Sequence, residues 1–327
     1  MRSRLTILAL IPLLVTMCIA GDKKKDPSEI SDRDVGKGVN FYSIEKEMAM
    51  GRQLALEVQK QSRMVDDPIL GEYINRIGQN LARNSDARIP VSFQVIDSDS
   101  VNAFTLPGGY VFVNSGLIRL AETEAELAGA MAHEIGHVAA RHSTRQQTRE
   151  QIANLATIPL VLMGGWTGYA VRQGVGIGIP MTFLSFSRQF EGEADLLGLE
   201  YMYKAGYDPT ASIDIFERIE SLEKTKPGAV AKVFATHPMT FDRIKMAQKN
   251  ITEILPPKPE YVVNTSEFNE MRSRMIALHR QQKRDAANPA KPTLHRAPGA
   301  QKPIDDPQSS ENEGDDRPTL QRRNDWL

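Results

Sequence analysis

Cysteine is almost absent from this 327-residue sequence: Cys18 is the only one, so no disulfide can form within the chain. Charge of one sign is not in excess either, because 40 basic and 41 acidic side chains give a formal net charge of -1. Such a balance creates no field that would attract nucleic acid, and no nucleic-acid partner is expected. The sequence also lacks internal repeats and a glycine-rich phosphate-binding loop. Packing, rather than cross-links, is therefore expected to stabilise the fold.

The N-terminus has the layout of an export signal. Two arginines precede an uncharged apolar run over residues 5–20, which predicts that residues 1–20 are a signal peptide, a lipoprotein signal or an N-terminal anchor. Cys18 stands where a lipoprotein signal places its acylated residue. We therefore expect an exported, periplasmic protein, with tethering to the membrane through lipidated Cys18 or the apolar run as alternatives to free secretion. Residues 21–39 are predicted to be a linker.

Hydrophobic periodicity predicts one mainly helical domain over residues 40–255. A long helix over 122–149 opens with Thr123 and Glu126, the pattern of a reciprocal cap. The glycine-rich stretch 153–178 is interpreted as a buried or mobile loop, with a membrane-contacting segment as the alternative. Further helices are predicted over 41–62, 67–83, 182–205, 210–222 and 240–253, and strands over 91–96 and 110–113.

The C-terminal part of the sequence changes in character after Ile254. Several prolines and an extended stretch lead into a polar helix, so residues 256–284 are predicted to be an extended segment followed by a C-terminal helix. Residues 285–327 contain many polar residues and prolines, and they have too little apolar surface to offset the entropy of ordering. This tail is predicted to be disordered.

The strongest motif is His133-Glu134-x-x-His137. Residues four apart lie on the same face of a helix, so both imidazoles can converge on one ion, and Glu134 can reach a metal-bound water from the edge of that face. The alternative is a pair of core or surface histidines. The aliphatic stripe of this helix points away from the histidines, which argues against a core position: its members are Leu127, Met131, Ile135 and Val138.

Two histidines and a water leave a tetrahedral zinc one ligand short. His142 lies nine residues beyond His133, so on a continuous helix it projects from the opposite face, and we interpret it as a structural or surface residue. The remaining candidate for the third ligand is an acidic residue on a later helix. Glu191 and Asp195 are one turn apart, so Glu191 can bind the metal while Asp195 accepts a hydrogen bond from a ligating histidine. From spacing alone, Glu193 competes with Glu191 for the ligand position.

Gly192 lies beside this acidic ligand pair in the sequence. Glycine in a helix interior costs about 0.5–1 kcal/mol relative to alanine, so its presence there has to serve some purpose. We expect it to allow the two metal-binding helices to approach each other closely.

Four segments match the pattern of one family: the motif at 133–137, Ser187–Arg188 followed by Glu191 and Ala194–Asp195, residues 102–109, and Thr236–His237–Pro238 with Arg243–Ile244. With these segments the sequence resembles the gluzincin endopeptidases that include the HtpX heat-shock protease, BepA and the CaaX prenyl protease. The resemblance runs from about Asn40 to Phe268. The chain departs from parts of that family because it lacks multiple membrane spans and shows no helical-hairpin repeats after residue 254.

The resemblance implies an α+β fold, a mainly helical zincin-like metalloprotease domain with a small β-sheet bordering the active-site cleft. It places the third metal ligand at Glu191 rather than Glu193. It also implies that Asn102, Tyr110 and Val111 border the cleft, where a strand edge could pair with an extended peptide. His237 is implied to lie near the metal, where it either stabilises the oxyanion or occupies the open metal position in a latent state.

These observations predict a zinc-dependent metalloendopeptidase with one zinc ion per chain and with Glu134 as the general base. Its expected substrates are polypeptides, namely exported or misfolded envelope proteins. The alternative is a periplasmic chaperone or outer-membrane assembly factor with latent or minor protease activity. Contact with the membrane or with outer-membrane assembly machinery is the expected partnership.

Overall fold

The computed structural model describes residues 27–163, 186–225, 237 and 241–287. The predicted export signal and nearly all of the predicted C-terminal tail lie outside these residues. The chain divides into two units, residues 1–281 and 282–327. In the second unit, the described residues are the last turns of one helix.

Nine helices and three strands form within the described residues. They are α1 (Ile44–Gln61), α2 (Pro68–Arg83), β1 (Ser92–Ile96), β2 (Ala103–Leu106), β3 (Tyr110–Asn114), α3 (Ser115–Leu120), α4 (Glu124–Ala139), α5 (His142–Met163), α6 (Arg188–Ala205), α7 (Ala211–Thr225), α8 (Phe241–Ile254) and α9 (Ser266–Ala287). The predicted α+β class, mainly helical with a small sheet, is confirmed.

The sheet has the order β1-β3-β2, with β1 parallel and β2 antiparallel to β3. A tight turn joins β2 to β3, and it places Gly108 and Gly109 at φ of 78° and 86°, where residues with a side chain are strained. Val111 pairs with Phe93 on one side and with Thr105 on the other. β3 is therefore the central strand, and β2 is an edge strand of this sheet.

Two glycines set the distance between α4 and α6. A Cβ atom on Gly136 would lie 2.8 Å from the Ala194 carbonyl oxygen, and one on Gly198 would lie 3.1 Å from the His133 backbone nitrogen. Neither space admits a side chain without displacing backbone. The prediction that Gly192 serves this purpose is wrong, because nothing lies within 4 Å of a Cβ built there.

The long helix predicted over 122–149 is two helices. α4 ends at Ala139, and Arg141 adopts a φ of 55° before α5 begins. Its N-terminal cap also differs in one detail: Thr123 accepts a hydrogen bond from the Glu126 backbone, as expected, but the Glu126 carboxylate accepts from the backbone of Glu122. The break at Arg141 changes the direction of every side chain that follows it.

Residues 27–39, for which a linker is predicted, are instead packed on the helices. Ile30 and Val35 are buried in the main core. Arg33 pairs with Asp86 at 2.9 Å and with Glu200, and all three side chains are almost fully shielded from solvent. The polar composition of this segment concealed two buried apolar side chains and one buried arginine with two acidic partners.

The end of α5 and the C-terminal helix also differ from the sequence-based prediction. The loop predicted from residue 153 is wrong as far as Met163, because those residues are helical, and residues 164–178 lie outside the described residues. The side chains of Phe268, Met271 and Met275 on α9 join the main core, so residues 266–281 of this helix pack within the first unit. Among the described residues, no helix is both long and apolar enough to cross a membrane.

Candidate metal centre

Four side chains bring potential metal ligands together where α4 crosses α6. His133, His137, Glu191 and His237 each offer one atom, and these atoms all lie within 4.8 Å of one another. The Nε2 atoms of His133 and His137 are 3.1 Å apart, and His237 Nδ1 lies 3.0 Å from Glu191 Oε1. Donor atoms around a tetrahedral zinc are separated by about 3.3 Å, since each lies about 2.0–2.1 Å from the metal. The cluster therefore has the dimensions of a metal site.

The helices explain how these side chains meet. His133 and His137 leave the same face of α4 one turn apart, and both are buried. Glu191 lies in the first turn of α6, after the N-cap residue Ser187, whose hydroxyl accepts a hydrogen bond from the Phe190 backbone. Its Oε2 is 3.4 Å from His133 Nε2, and its Oε1 is 3.6 Å from His137 Nε2. Gly136 and Gly198 permit the close helix crossing that these distances require.

Asp195 and Arg243 support the His133 side of the cluster. Asp195 Oδ1 lies 3.0 Å from His133 Nδ1, so the ring nitrogen that faces away from the cluster has a carboxylate beside it. Arg243 on α8 donates two hydrogen bonds of 2.7 Å to Asp195, and it lies 3.1 Å from Glu191 Oε2. This arginine entered the sequence analysis only through its resemblance to the family pattern. Its position six residues after His237 was the available signal.

Charge around the cluster is unbalanced in a way that suits a cation. Burial opposes a positive charge on His133, yet the carboxylates of Asp195 and Glu191 beside its ring raise its pKa to about 9. In contrast, burial holds the pKa of His137 well below its ordinary value. Arg243 already supplies one positive charge to these two carboxylates, and the neutral imidazole of His137 has a lone pair beside Glu191. A divalent cation suits this combination of a neutral imidazole and a carboxylate.

Glu134 faces the same space from the edge of α4. Its carboxylate is almost fully buried, and Oε1 lies 3.4 Å from His237 Nε2. Oε2 has no hydrogen-bond partner among the described residues. Burial raises the pKa of Glu134 above its usual range. A buried carboxylate with one free oxygen is suited to exchange a proton with a small molecule in the cleft.

The sequence predicted that His142 projects away from the cluster. This prediction is wrong, because its imidazole points toward His137. α4 and α5 are separate helices, so the nine-residue spacing from His133 carries no directional information. His142 is fully buried, and its Nδ1 lies 2.9 Å from His137 Nδ1. Glu193, the competing ligand candidate, lies outside the four-residue cluster and instead contacts His142 Nε2 at 3.2 Å. Burial lowers the pKa of His142 to about 4, so this imidazole is neutral.

A small cleft opens beside His133 and Glu134. Asn102 lies in its wall, as predicted. The prediction that Tyr110 and Val111 offer a strand edge is wrong, because both belong to the central strand β3, which is paired on both sides. Apart from the residues already named, the cleft is lined by Val101, Ala103, Leu117, Ala130, Phe216 and Ile219.

Comparison with known proteins identifies related chains. The family model described as peptidase family M48 matches residues 68–251. The beta-barrel assembly-enhancing protease of Escherichia coli (strain K12) is 29% identical over 247 residues, which are 72% of this chain and 50% of that protein. The mitochondrial metalloendopeptidase OMA1 of Schizosaccharomyces pombe is 32% identical over 186 residues, 55% of this chain and 53% of that protein. The chain thus spans about half the length of these relatives.

Proposed function

The chain belongs to peptidase family M48, and from that premise we propose that it is a zinc-dependent metalloendopeptidase with one zinc ion per chain. The family resemblance seen in the sequence is confirmed by this membership. The observation that carries the proposal is the convergence of His133, His137, Glu191 and His237 on one point. Peptides and proteins are the proposed substrates.

Zinc fits this donor set on chemical grounds. Imidazole nitrogens and a carboxylate oxygen are ligands that zinc prefers, and their separations of 3.0–3.6 Å suit a tetrahedral ion. Three ligands, His133, His137 and Glu191, are the set expected of a catalytic site that keeps one position for water or substrate. Asp195 fixes the orientation of one of the ligands.

Bound zinc supplies Lewis acidity, which polarises the scissile carbonyl and lowers the pKa of water toward about 7. A residue of the chain transfers the protons. Glu134 takes a proton from the attacking water and later delivers it to the leaving amine, and its raised pKa brings it closer to neutrality, where both transfers are efficient. Burial of the Glu134 carboxylate limits competition from bulk water.

We place the substrate along β2. Asn102 and Ala103 line the cleft at the start of this edge strand, where an extended peptide can form main-chain hydrogen bonds. Such pairing tolerates varied side chains. The aliphatic and aromatic lining of the cleft favours an apolar substrate side chain next to the scissile bond. Unfolded segments of exported proteins offer both features, and they are our proposed physiological substrates.

His237 supports a latent state of this enzyme. Its Nδ1 lies 3.4 Å from His133 Nε2 and 3.0 Å from Glu191 Oε1, and these distances support the proposal that it is the fourth ligand in that state. Occupation of that position by His237 would exclude water. This arrangement also favours the second candidate function, an outer-membrane assembly factor with restrained proteolysis, since relatives carry the name beta-barrel assembly-enhancing protease.

Export to the periplasm is part of the proposal, and it is supported by the apolar run at residues 5–20. Cys18 is the proposed lipidation site. Zinc, lipidation and contact with assembly machinery each require a direct test. The intact mass of the mature protein tests processing at Cys18, because acylation adds the mass of the lipid.

Casein cleavage by the full chain tests the enzyme proposal. We expect cleavage that a zinc chelator abolishes and that added zinc restores. His237→Ala should be assayed in parallel, because latency would otherwise hide activity, and we expect this variant to cleave faster than wild type. Cleavage that persists in the presence of excess chelator, or no cleavage by either zinc-loaded protein, would contradict the proposal.

A further inference from the structure

A buried chain of polar contacts extends behind His137, on the side away from the ligand cluster. His137 Nδ1 lies 2.9 Å from His142 Nδ1. His142 Nε2 lies 3.2 Å from Glu193 Oε2, and Arg145 lies 3.3 Å from the same carboxylate oxygen. The two metal-site helices and α5 are thereby linked from His137 to Arg145.

The fold holds His142 rigidly in this chain of contacts. The residue begins α5 directly after Arg141, whose positive φ turns the backbone so that the imidazole points back toward His137. Its ring stacks on Phe190, with centroids 4.3 Å apart and planes inclined by 19°. No part of His142 is exposed to solvent. The imidazole therefore has little freedom to rotate away.

Hydrogen-bonding rules then determine the direction of each bond. His137 presents Nε2 to the ligand cluster, so its ring proton resides on Nδ1. A contact between two ring nitrogens at 2.9 Å holds one proton, which means that His142 Nδ1 accepts from His137. The proton of His142 is then on Nε2, which donates to Glu193.

We propose that His142 is a positioning residue for the metal site, which fixes the tautomer and the rotation of His137 and connects it to the Glu193 carboxylate. This inference rests on the proposed function, because it takes His137 as a metal ligand. The two histidine ligands are thus supported in different ways. His133 contacts Asp195 directly at 3.0 Å, whereas His137 reaches Glu193 through a second imidazole.

Two substitutions of similar size separate the two bonds of His142. In His142→Asn the side-chain amide can occupy the place of Nδ1, so it can still accept from His137 but cannot reach Glu193. In His142→Gln the amide reaches the place of Nε2, so it can contact Glu193 but not His137. Both remove the imidazole ring that stacks on Phe190. The pair therefore distinguishes positioning of His137 from general packing.

Zinc affinity of the full-length apo protein, measured by competition with a chelating indicator, is the readout. Loss of a partner behind a ligating histidine weakens metal binding by about 10–100-fold, so we expect that loss in His142→Gln and a distinctly smaller loss in His142→Asn. His279→Asn, on α9, is the control and should bind zinc as wild type does. Equal affinities for the Asn and Gln variants, or tighter binding by the Gln variant, would overturn the proposal.

Wild-type protein provides a second measurement that does not depend on the variants folding. Long-range proton–nitrogen NMR spectra of the zinc-loaded chain report which ring nitrogen of each histidine carries the proton. We expect Nδ1–H for His137 and Nε2–H for His142; an Nδ1–H tautomer at His142 would overturn the proposal. Failure of wild-type protein to bind zinc would instead contradict the proposed function, so the two failures are distinguishable.

Discussion

Helix α6 carries two buried acidic clusters that are built in opposite ways. Near its C-terminal end, Glu200 is paired with Arg33, and Asp86 accepts hydrogen bonds from Arg33 and from the Tyr201 hydroxyl. Near its N-terminal end, Glu191 faces three imidazoles and one edge of Arg243. The first cluster contains its own cation. The second also contains a cation, Arg243, but it gathers in addition four side chains whose ligand atoms could hold a metal ion.

The difference shows how to separate a structural charge cluster from a chemical one. Buried carboxylates occur in both, so burial alone does not distinguish them. In the Arg33 cluster each acidic side chain has a guanidinium or hydroxyl partner, as buried polar groups normally require. In the metal centre, lone pairs from several residues point at one another, an arrangement that is repulsive unless an ion or a proton lies between them.

The largest effect is expected from Glu134→Gln, which removes the proton acceptor while leaving the donor atoms in place. Loss of a general base lowers turnover by about 10²–10⁴-fold. Zinc content should stay at one per chain, which metal analysis of the purified variant checks. Near-wild-type turnover with zinc bound would remove Glu134 from the mechanism.

Arg33→Met tests the buried cluster of Arg33, Asp86 and Glu200. It leaves two buried carboxylates without their cation, and breaking a buried pair in this way costs about 3–5 kcal/mol in the free energy of unfolding. Denaturant titration of the apo protein measures this loss. Arg76→Met, at an ion pair with Glu267 in which both side chains are about half exposed, is the matched control and should cost at most about 1 kcal/mol. The comparison fails if Arg33→Met changes the free energy of zinc binding by more than it changes the free energy of unfolding.

Asp195→Asn tests the contact that supports His133 in the candidate metal centre. The shape of the side chain is kept, but the carboxylate that contacts His133 Nδ1 is replaced by a neutral amide. We expect zinc affinity to fall by about 10–100-fold. Asp214→Asn, on α7, serves as the control and should leave zinc binding unchanged. Wild-type affinity in Asp195→Asn would mean that the contact with His133 does not tune the metal site.

Tyr201→Phe should cost less than Arg33→Met, because it removes one hydrogen bond and leaves the ion pairs of Arg33 in place. It removes the hydroxyl that donates to Asp86, a hydrogen bond to a buried charged group, and we expect the free energy of unfolding to fall by about 1.5–3 kcal/mol. Tyr203→Phe on the same helix is the control, because the Tyr203 ring packs on Tyr261 near the surface. Thermal unfolding of both apo variants measures the difference. An equal change in the two would show that the bond to Asp86 is not specific.

Local spacing explains what the sequence predicted well. The interval between His133 and His137 fixes their relative direction because one helical turn joins them. The same rule failed for His142, since the backbone turns at Arg141 and the helical period does not continue through it. Contacts between segments far apart in the sequence were also inaccessible. Nothing local to Arg33 indicates that Glu200, 167 residues later, is its partner.

The wrong prediction for Gly192 and the wrong prediction of a strand edge at Tyr110 and Val111 have a similar origin. A glycine is expected where two helices cross closely, and both Gly192 and Gly198 lie on α6. The rotation of α6 decides which of them faces α4, and Gly198 has that position. Likewise, the alternation of Tyr110 and Val111 predicts a strand but not its place in the sheet. Sequence patterns identified the elements and several donor atoms, whereas the three-dimensional packing decided which residues share a site.

Zinc titration of the demetallated full chain, compared with Glu191→Ala, tests the central claim most directly. The account predicts one zinc per wild-type chain, and a loss of at least about 100-fold in affinity when the carboxylate contributed by α6 is removed, since one of three protein ligands is gone. Equal zinc affinity in wild type and Glu191→Ala would contradict the assignment of the metal centre to the crossing of α4 and α6.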